Sequence, residues 1–204
     1  MIECDFHFPT PFWSVNITET IEKAGITFEE LEKASYQIKK IQKIESLQSG
    51  RNSYQSGDLI FEKTPIEIQK TIALISHLVN SIYTQFWQKE LVLLNTWLNI
   101  NSKGSCNLLH THPNSILSGV FYIKTCKDHP PFILEENNNN KFLRESLGFQ
   151  KDYTLDHPIL NSNYQYQPTN GFAFIFPSYM PHRVEENKID IDRISLSFNY
   201  GFLR

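Results

Sequence analysis

The run RISLSFNY at residues 193–200 alternates polar and apolar side chains without a break. Successive side chains of a β-strand point to opposite faces, so this pattern predicts a strand with one apolar and one polar face. We predict the strand over roughly 191–202. Its polar face carries Arg193, Ser195, Ser197 and Asn199. An arginine among hydroxyl and amide groups indicates a face that lines a wet cavity, while the apolar face packs under helices.

Other strands are predicted upstream of this run. Residues 92–101 alternate apolar and polar side chains, and the segments 116–124 and 171–177 are rich in β-branched and aromatic residues. Residues 127–170 show no clear period and are predicted to be irregular. Because long loops over a rigid scaffold often carry recognition, this segment is the candidate substrate lid.

The first third of the chain is predicted to be mainly helical, after an extended segment at residues 8–13 that contains two prolines. Capping boxes at Asn16–Glu19 and Thr27–Glu30 are predicted to begin two helices. The longest helix is predicted over roughly 65–88, with Thr64 as its cap. Its buried face is predicted from apolar residues at spacings of three and four, namely Ile68, Ile72, Ile75, Val79, Ile82 and Phe86.

These elements predict one α+β domain over residues 1–204. Residues 1–90 form a mainly helical part, and residues 91–204 form a core that carries the candidate metal site. Helices followed by many strands favour helices packed on one sheet of a distorted β-sandwich or jelly roll.

Composition is that of an ordinary globular protein, with 40% hydrophobic and 20% charged residues. A net charge of −3 argues against a mainly electrostatic nucleic-acid partner. We find neither a signal peptide nor an apolar run of transmembrane length, so no membrane association is expected. Three cysteines without a CxxC pair suit a reducing compartment, and the protein is predicted to be cytoplasmic. A homodimer is compatible with the sequence, which does not define the oligomeric state.

Three histidines are the candidate metal ligands, His110, His112 and His182. Two histidines at i and i+2 project from the same side of a strand and can bind one ion together. Chance also produces such pairs in a chain with seven histidines, so the pair alone is a weak signal. Imidazole suits iron, zinc, copper and nickel alike, and three protein ligands leave coordination positions open for catalysis.

Arg193 is the residue that distinguishes a site for a metal and a cosubstrate from a site for a metal alone. A guanidinium stays charged and binds a carboxylate through two parallel hydrogen bonds, so Arg193 could anchor the far end of a dicarboxylic acid that chelates the metal. Ser195 lies on the same face and could add a hydroxyl donor. The alternative is a surface ion pair between Arg193 and Asp190 or Asp192.

Several blocks of the chain carry a resemblance to a known family. The main ones are HTHPNSILSGVFYI at 110–123, FPSYMPHRV at 176–184 and RISLSFNY at 193–200. In this order they resemble the iron(II)/2-oxoglutarate-dependent oxygenases of microbes and their phages. The similarity extends to further blocks at residues 8–13, 54–56 and 97–101, and therefore spans nearly the whole chain.

The resemblance implies a double-stranded β-helix (jelly roll) core, iron(II), and the cosubstrates 2-oxoglutarate and O₂. By position, it implies that His110, His112 and His182 bind the metal and that Arg193 binds the C5-carboxylate of 2-oxoglutarate. The implied reaction hydroxylates a small-molecule or peptide substrate and releases succinate and CO₂. A peptidyl or free amino acid is the first expectation for that substrate.

Three further residues are cosubstrate candidates under this resemblance. Tyr122 and Ser195 are assigned by their positions in the family blocks. Asn99 is added because the 97–101 strand could supply a polar wall for the cosubstrate.

His112 departs from the pattern of the wider superfamily, which places an aspartate or glutamate there. A third neutral ligand leaves the centre one charge unit more positive. The alternative is that His112 lies outside the coordination shell and that Glu135 or Glu136 completes it. The remaining histidines are expected to be solvated or locally bonded, namely His7, His77, His129 and His157.

Two other functions fit part of the pattern. A zinc hydrolase or hydro-lyase uses three histidines to hold a metal-bound hydroxide, but it has no particular task for Arg193 or Ser195. A non-catalytic jelly-roll binding module explains the polar cavity and predicts no turnover.

Overall fold

The computed structural model describes residues 10–42, 49–86, 89–135 and 163–202. Its helices are α1 (Thr18–Lys23), α2 (Phe28–Ile41) and α3 (Ile66–Tyr83), with a short 3₁₀ helix at Phe61–Lys63. Its strands are β1 (Trp13–Asn16), β2 (Gly50–Arg51), β3 (Tyr54–Gln55), β4 (Val92–Asn101), β5 (Cys106–His110), β6 (Leu117–Lys124), β7 (Phe132–Glu135), β8 (Asn163–Tyr166), β9 (Phe172–Pro177), β10 (His182–Val184) and β11 (Arg193–Gly201).

Two antiparallel sheets form the core. The larger sheet has six strands in the order β1-β9-β6-β11-β4-β3, and the smaller has five in the order β2-β5-β10-β7-β8. An apolar cluster joins side chains of β6 and β9 to side chains of β7 and β10, so the two sheets pack face to face. This is the double-stranded β-helix core of the predicted α+β fold.

Strand β11 has the two faces that its alternation predicts. Ile194, Leu196 and Phe198 join the apolar core that also contains the buried side chains of α2 and α3. Arg193 and Ser195 face the cavity between the sheets. The helices therefore cover the outer face of the six-stranded sheet, as expected.

Helix α3 is shorter than predicted. It begins at Ile66 and ends at Tyr83, while Phe86 lies in the following turn and is exposed. Thr64 does not cap it, because its hydroxyl donates to the Ile60 carbonyl at 2.8 Å. The rest of the predicted apolar face is buried, and residues 87–88 lie outside the described part of the chain.

One of the two predicted capping boxes is confirmed. Thr27 Oγ1 accepts the Glu30 N–H at 3.2 Å, and Glu30 Oε2 accepts the Thr27 N–H at 2.8 Å. The box at Asn16 is wrong because Asn16 is the last residue of β1. Its side chain accepts the Thr18 N–H at 2.9 Å, two residues ahead, where α1 begins.

Two predictions of secondary structure need correction. Strands β7 and β8 lie inside the segment 127–170. The short apolar run at 132–134 forms β7, which pairs with β10 on one side and with β8 on the other. The helical N-terminal part also supplies β1 and β3 to the six-stranded sheet. Residues 136–162 of the predicted lid, and Phe8 and Pro9 of the predicted extended segment, lie outside the described residues.

In the described part of the chain, no helix has the length and apolar character needed to cross a membrane.

Candidate metal centre

Three histidines converge at one end of the five-stranded sheet. His110 ends β5 and His182 begins β10, and the two residues are direct cross-strand partners. His112 lies just beyond β5, where its N–H donates to the Ser178 carbonyl at 3.0 Å. One ring nitrogen from each histidine lies within 4.8 Å of the others. The two histidines are therefore brought together outside regular strand geometry, since His110 ends the strand and His112 lies in the irregular segment that follows.

Backbone carbonyls determine which nitrogen two of these rings can offer. His110 Nδ1 lies 2.6 Å from the Leu108 carbonyl oxygen, and His182 Nδ1 lies 2.9 Å from that of Met180. A carbonyl oxygen only accepts, so both Nδ1 atoms carry protons and both Nε2 atoms keep free lone pairs. A second hydrogen bond of this kind is typical of metal-binding histidines.

His112 is held differently. Its Nε2 lies 3.2 Å from His182 Nε2, and no described residue bonds its Nδ1. The ring instead packs beside Trp97, with centroids 5.7 Å apart. Two nitrogens at this separation fit adjacent positions around one ion, since each metal–nitrogen bond is about 2.1 Å long.

Burial keeps the three rings neutral. Desolvation lowers the pKa of His110, lowers that of His112 to about 4, and lowers that of His182 well below its ordinary value. Neighbouring rings add to the effect at His112 and His182. Neutral imidazoles are the form that binds a cation, so near pH 7 no proton must be displaced from these rings.

No carboxylate joins the histidines within the described ranges, where His110, His112 and His182 form the one cluster suited to a metal. Glu135, which was an alternative ligand, lies in β7 and pairs with Arg183 Nε at 2.6 Å. Arg183 therefore pairs with the Glu135 carboxylate, which is not part of the histidine cluster. Glu136, the other alternative, lies outside the described residues.

Arg193 is buried in the same cavity, with only 3% of its surface exposed. Its Nη2 donates to Asn107 Oδ1 at 3.3 Å, while its Nε and Nη1 are buried without a partner. The surface ion pair considered for it does not form, since Asp192 accepts the Tyr36 hydroxyl at 2.7 Å. Desolvation lowers the pKa of Arg193, and Tyr122 opposes that effect. The cavity thus contains a cation without a counter-ion among the described residues.

The cavity opens to solvent, and its empty space is about 490 Å³ when the solvent at the mouth is included. Every sequence-predicted site residue lines it, namely Asn99, His110, His112, Tyr122, His182, Arg193 and Ser195. Asn99 is already engaged at both ends of its amide, accepting from Gln55 at 3.0 Å and donating to Ser197 at 2.9 Å. Within the described ranges neither Tyr122 nor Ser195 makes a side-chain hydrogen bond, and both side chains line the cavity.

The polar lining residues that were not predicted from the sequence include Gln55 and Asn107. Gln55 lies on the two-residue strand β3, which is too short to show a period, although it falls in a family block. Asn107 lies on β5 at an odd offset from His110, which places it on the opposite face of a regular strand. A bulge changes the phase, because β10 pairs His182 with His110 and Val184 with Asn107.

The other described histidines behave as expected. His77 is exposed on α3. His129 is buried but locally bonded, accepting the Cys126 N–H at 2.9 Å and donating to the Ile191 carbonyl at 2.9 Å. His7 and His157 lie outside the described residues.

The fold recurs in solved structures of low sequence identity. A prolyl-4-hydroxylase from Pseudomonas putida matches with a TM-score of 0.62 at 11% identity, over 94% of this chain and 92% of that one. HygX from Streptomyces hygroscopicus, with nickel and 2-oxoglutarate bound, matches with a TM-score of 0.59 at 14% identity, over 94% and 83%. The viral collagen prolyl hydroxylase of Paramecium Bursaria Chlorella virus-1, in its 2-oxoglutarate complex, gives 0.57 at 10% identity, over 94% and 96%.

At the level of sequence, no curated protein matches the chain significantly. The family model described as "Putative 2OG-Fe(II) oxygenase" matches residues 95–199, about half of the chain, from β4 through β11. That range contains the three histidines and Arg193. The chain belongs to this family of 2-oxoglutarate- and iron(II)-dependent oxygenases.

Proposed function

We propose that this oxygenase binds iron(II) through His110, His112 and His182, and 2-oxoglutarate through Arg193. The observation that carries the proposal is the unpaired guanidinium of Arg193, buried in the same cavity as the histidines. A buried charge without a partner is costly, so its retention beside a metal-ligating cluster favours an anionic ligand.

The donor set fits iron(II). Imidazole is a common ligand of iron, and three neutral ligands leave the full double charge of the ion for anionic cosubstrates to neutralise. A zinc hydrolase would use the histidines equally well, but it would leave Arg193 without an anion. The oxygenase assignment therefore explains both the cluster and the cation.

When bound, iron(II) and 2-oxoglutarate let O₂ oxidise a C–H bond, with one oxygen atom entering the product and the other entering succinate as CO₂ leaves. The chain itself positions these groups. Arg193 binds the distal carboxylate through two parallel hydrogen bonds, and the hydroxyls of Tyr122 and Ser195 add donors. Val120, Phe132 and Phe176 line the same cavity and make part of its wall apolar.

The substrate class follows by analogy only. The similar structures include three prolyl hydroxylases, and HygX has been crystallised with hygromycin B. We therefore propose a peptide or small-molecule substrate for this chain, with a peptidyl or free amino acid as the first candidates. Residues 127–170 are the proposed recognition segment, and a reducing cytoplasm is the proposed location.

Anaerobic titration tests the cofactor assignment. The purified chain receives iron(II) and then 2-oxoglutarate, and the visible metal-to-ligand charge-transfer band is followed. We expect the band to appear on the second addition, and succinate to form slowly when air is admitted. The same titration with zinc(II) is the blank. A chain that binds iron(II) but does not respond to 2-oxoglutarate contradicts the proposal.

A further inference from the structure

Asn107 is the residue through which the five-stranded sheet contacts Arg193. Arg193 begins β11 of the six-stranded sheet, whereas Asn107 belongs to β5 of the other sheet. The 3.3 Å bond from Nη2 to Asn107 Oδ1 is the one side-chain hydrogen bond that Arg193 makes within the described residues. The orientation of the guanidinium therefore depends on a group that reaches across the cavity.

The amide of Asn107 has a defined orientation. A guanidinium only donates, so the atom that faces Arg193 must be the amide oxygen. The same oxygen lies 3.3 Å from Asn101 Nδ2, which donates to it. Asn101 is also the cross-strand partner of Arg193 on β4. The uncharged Asn107 oxygen therefore accepts hydrogen bonds from both Arg193 and Asn101, which are partners on adjacent strands.

The neutrality of this acceptor matters for the charge of the cavity. Among the described lining residues, the other guanidinium is that of Arg183, and Glu135 pairs with it at 2.6 Å. An aspartate at position 107 would neutralise Arg193 in place, whereas the amide orients it and leaves its charge for a ligand.

We propose that Asn107 is the positioning residue of the cosubstrate anchor, and that it gives the site its selectivity for a 2-oxo acid with a distal carboxylate. The proposal rests on the proposed function, since it requires Arg193 to bind 2-oxoglutarate. The β-bulge supports it, because the bulge brings Asn107 onto the same face as the ligand His110. Strand β5 thereby contributes both the candidate ligand His110 and the residue that orients Arg193.

Two cosubstrates separate positioning from general damage. 2-Oxopentanoate has the chain length of 2-oxoglutarate but ends in a methyl group, so it can chelate iron without using Arg193. The dissociation constant of each acid is measured by anaerobic charge-transfer titration of the iron-loaded wild type, Asn107→Asp and Asn107→Ala. Asn52→Asp makes the same amide-to-acid change on an exposed turn and is the matched control.

We expect Asn107→Asp to weaken 2-oxoglutarate binding about 10- to 100-fold, the range for losing hydrogen bonds between charged groups. Binding of 2-oxopentanoate should change less than about twofold. The preference for 2-oxoglutarate over 2-oxopentanoate should therefore fall as 2-oxoglutarate binding weakens. Asn107→Ala should weaken 2-oxoglutarate about 3- to 10-fold, and it keeps the test valid if the aspartate variant does not fold. Asn52→Asp should match the wild type.

The outcomes distinguish the two proposals. If the wild type loads iron but prefers neither acid, the assignment of Arg193 is wrong. If the wild type prefers 2-oxoglutarate and Asn107→Asp keeps that preference, only the role of Asn107 is wrong. Equal weakening of both acids would make Asn107 a structural residue and would overturn the proposal as well.

Discussion

Replacing Arg193 with methionine should stabilise the metal-free protein and abolish its response to 2-oxoglutarate. The side chain is 3% exposed, and two of its three nitrogen atoms are buried without a partner. Methionine retains much of the apolar volume and removes the uncompensated charge. It also loses one long hydrogen bond, to Asn107, whose oxygen keeps its bond from Asn101.

The size of the effect follows from these contacts. Exchange of buried ionic groups for apolar ones of similar volume gains about 1–3 kcal/mol. For a chain of this length each kcal/mol raises the melting temperature by about 2–4 °C, so the expected rise is about 2–12 °C. In the wild type, a ligand at 100 times its dissociation constant adds about 2.7 kcal/mol, and this increment should vanish in the variant.

Thermal unfolding of the metal-free and iron-loaded forms, each with and without 2-oxoglutarate under anaerobic conditions, measures both quantities. Arg183→Met is the matched control, because Arg183 pairs with Glu135 at 2.6 Å and Glu185 at 2.9 Å. The control should not gain stability and should keep the 2-oxoglutarate response. A lower melting temperature for Arg193→Met together with an intact response would refute the assignment of Arg193.

Three further predictions concern the ligands, pH and packing. His182→Ala should lose stoichiometric iron in a metal analysis and His112→Ala should bind it more weakly; full occupancy in His112→Ala would exclude His112 as a ligand. The metal-free protein should unfold at a lower urea concentration as pH falls below about 6.5. The histidines then bind protons in the unfolded chain but not in the folded one, where burial lowers the pKa of His112 to about 4. A urea midpoint that does not change with pH would contradict this prediction. Gly119→Ala should destabilise the fold by about 1–3 kcal/mol, since the new methyl group would overlap the Phe198 ring and the Phe174 carbonyl. If the denaturation curve of the variant matches that of the wild type, the sheet adjusts to the methyl group and the prediction is wrong.

Strand β11 shows why much of this molecule could be predicted from its sequence. Its nine residues keep one period, so both the core side chains and the cavity-facing Arg193 follow from alternation alone. The metal-ligand candidates could be named because histidines are rare and chemically distinctive. Their mutual geometry could not, because it depends on the register of β5 with β10, which joins residues 72 positions apart, as in the pair His110 and His182.

Asn107 shows where prediction from the sequence ends. A bulge is a property of two paired strands, and β5 alone carries no mark of it. Gln55 and β7 were missed for a related reason, since strands of two to four residues have too few positions to display a period. Thr64 satisfied the local rule for a cap, yet Pro65 occupies the N-cap position and the Thr64 hydroxyl donates to the Ile60 carbonyl in the preceding turn.

The division of the site between two sheets has a consequence for the length of acid it accepts. His110 and His182 belong to the five-stranded sheet and Arg193 to the six-stranded sheet, so the two ends of a dicarboxylic acid bound as proposed would attach to opposite walls. The distance between these walls is maintained by interior side chains such as Phe174 and Leu134, which do not line the cavity. Repacking that layer with larger side chains should shift preference from 2-oxoglutarate toward its one-carbon-longer homologue, although no residue that touches the acid has changed.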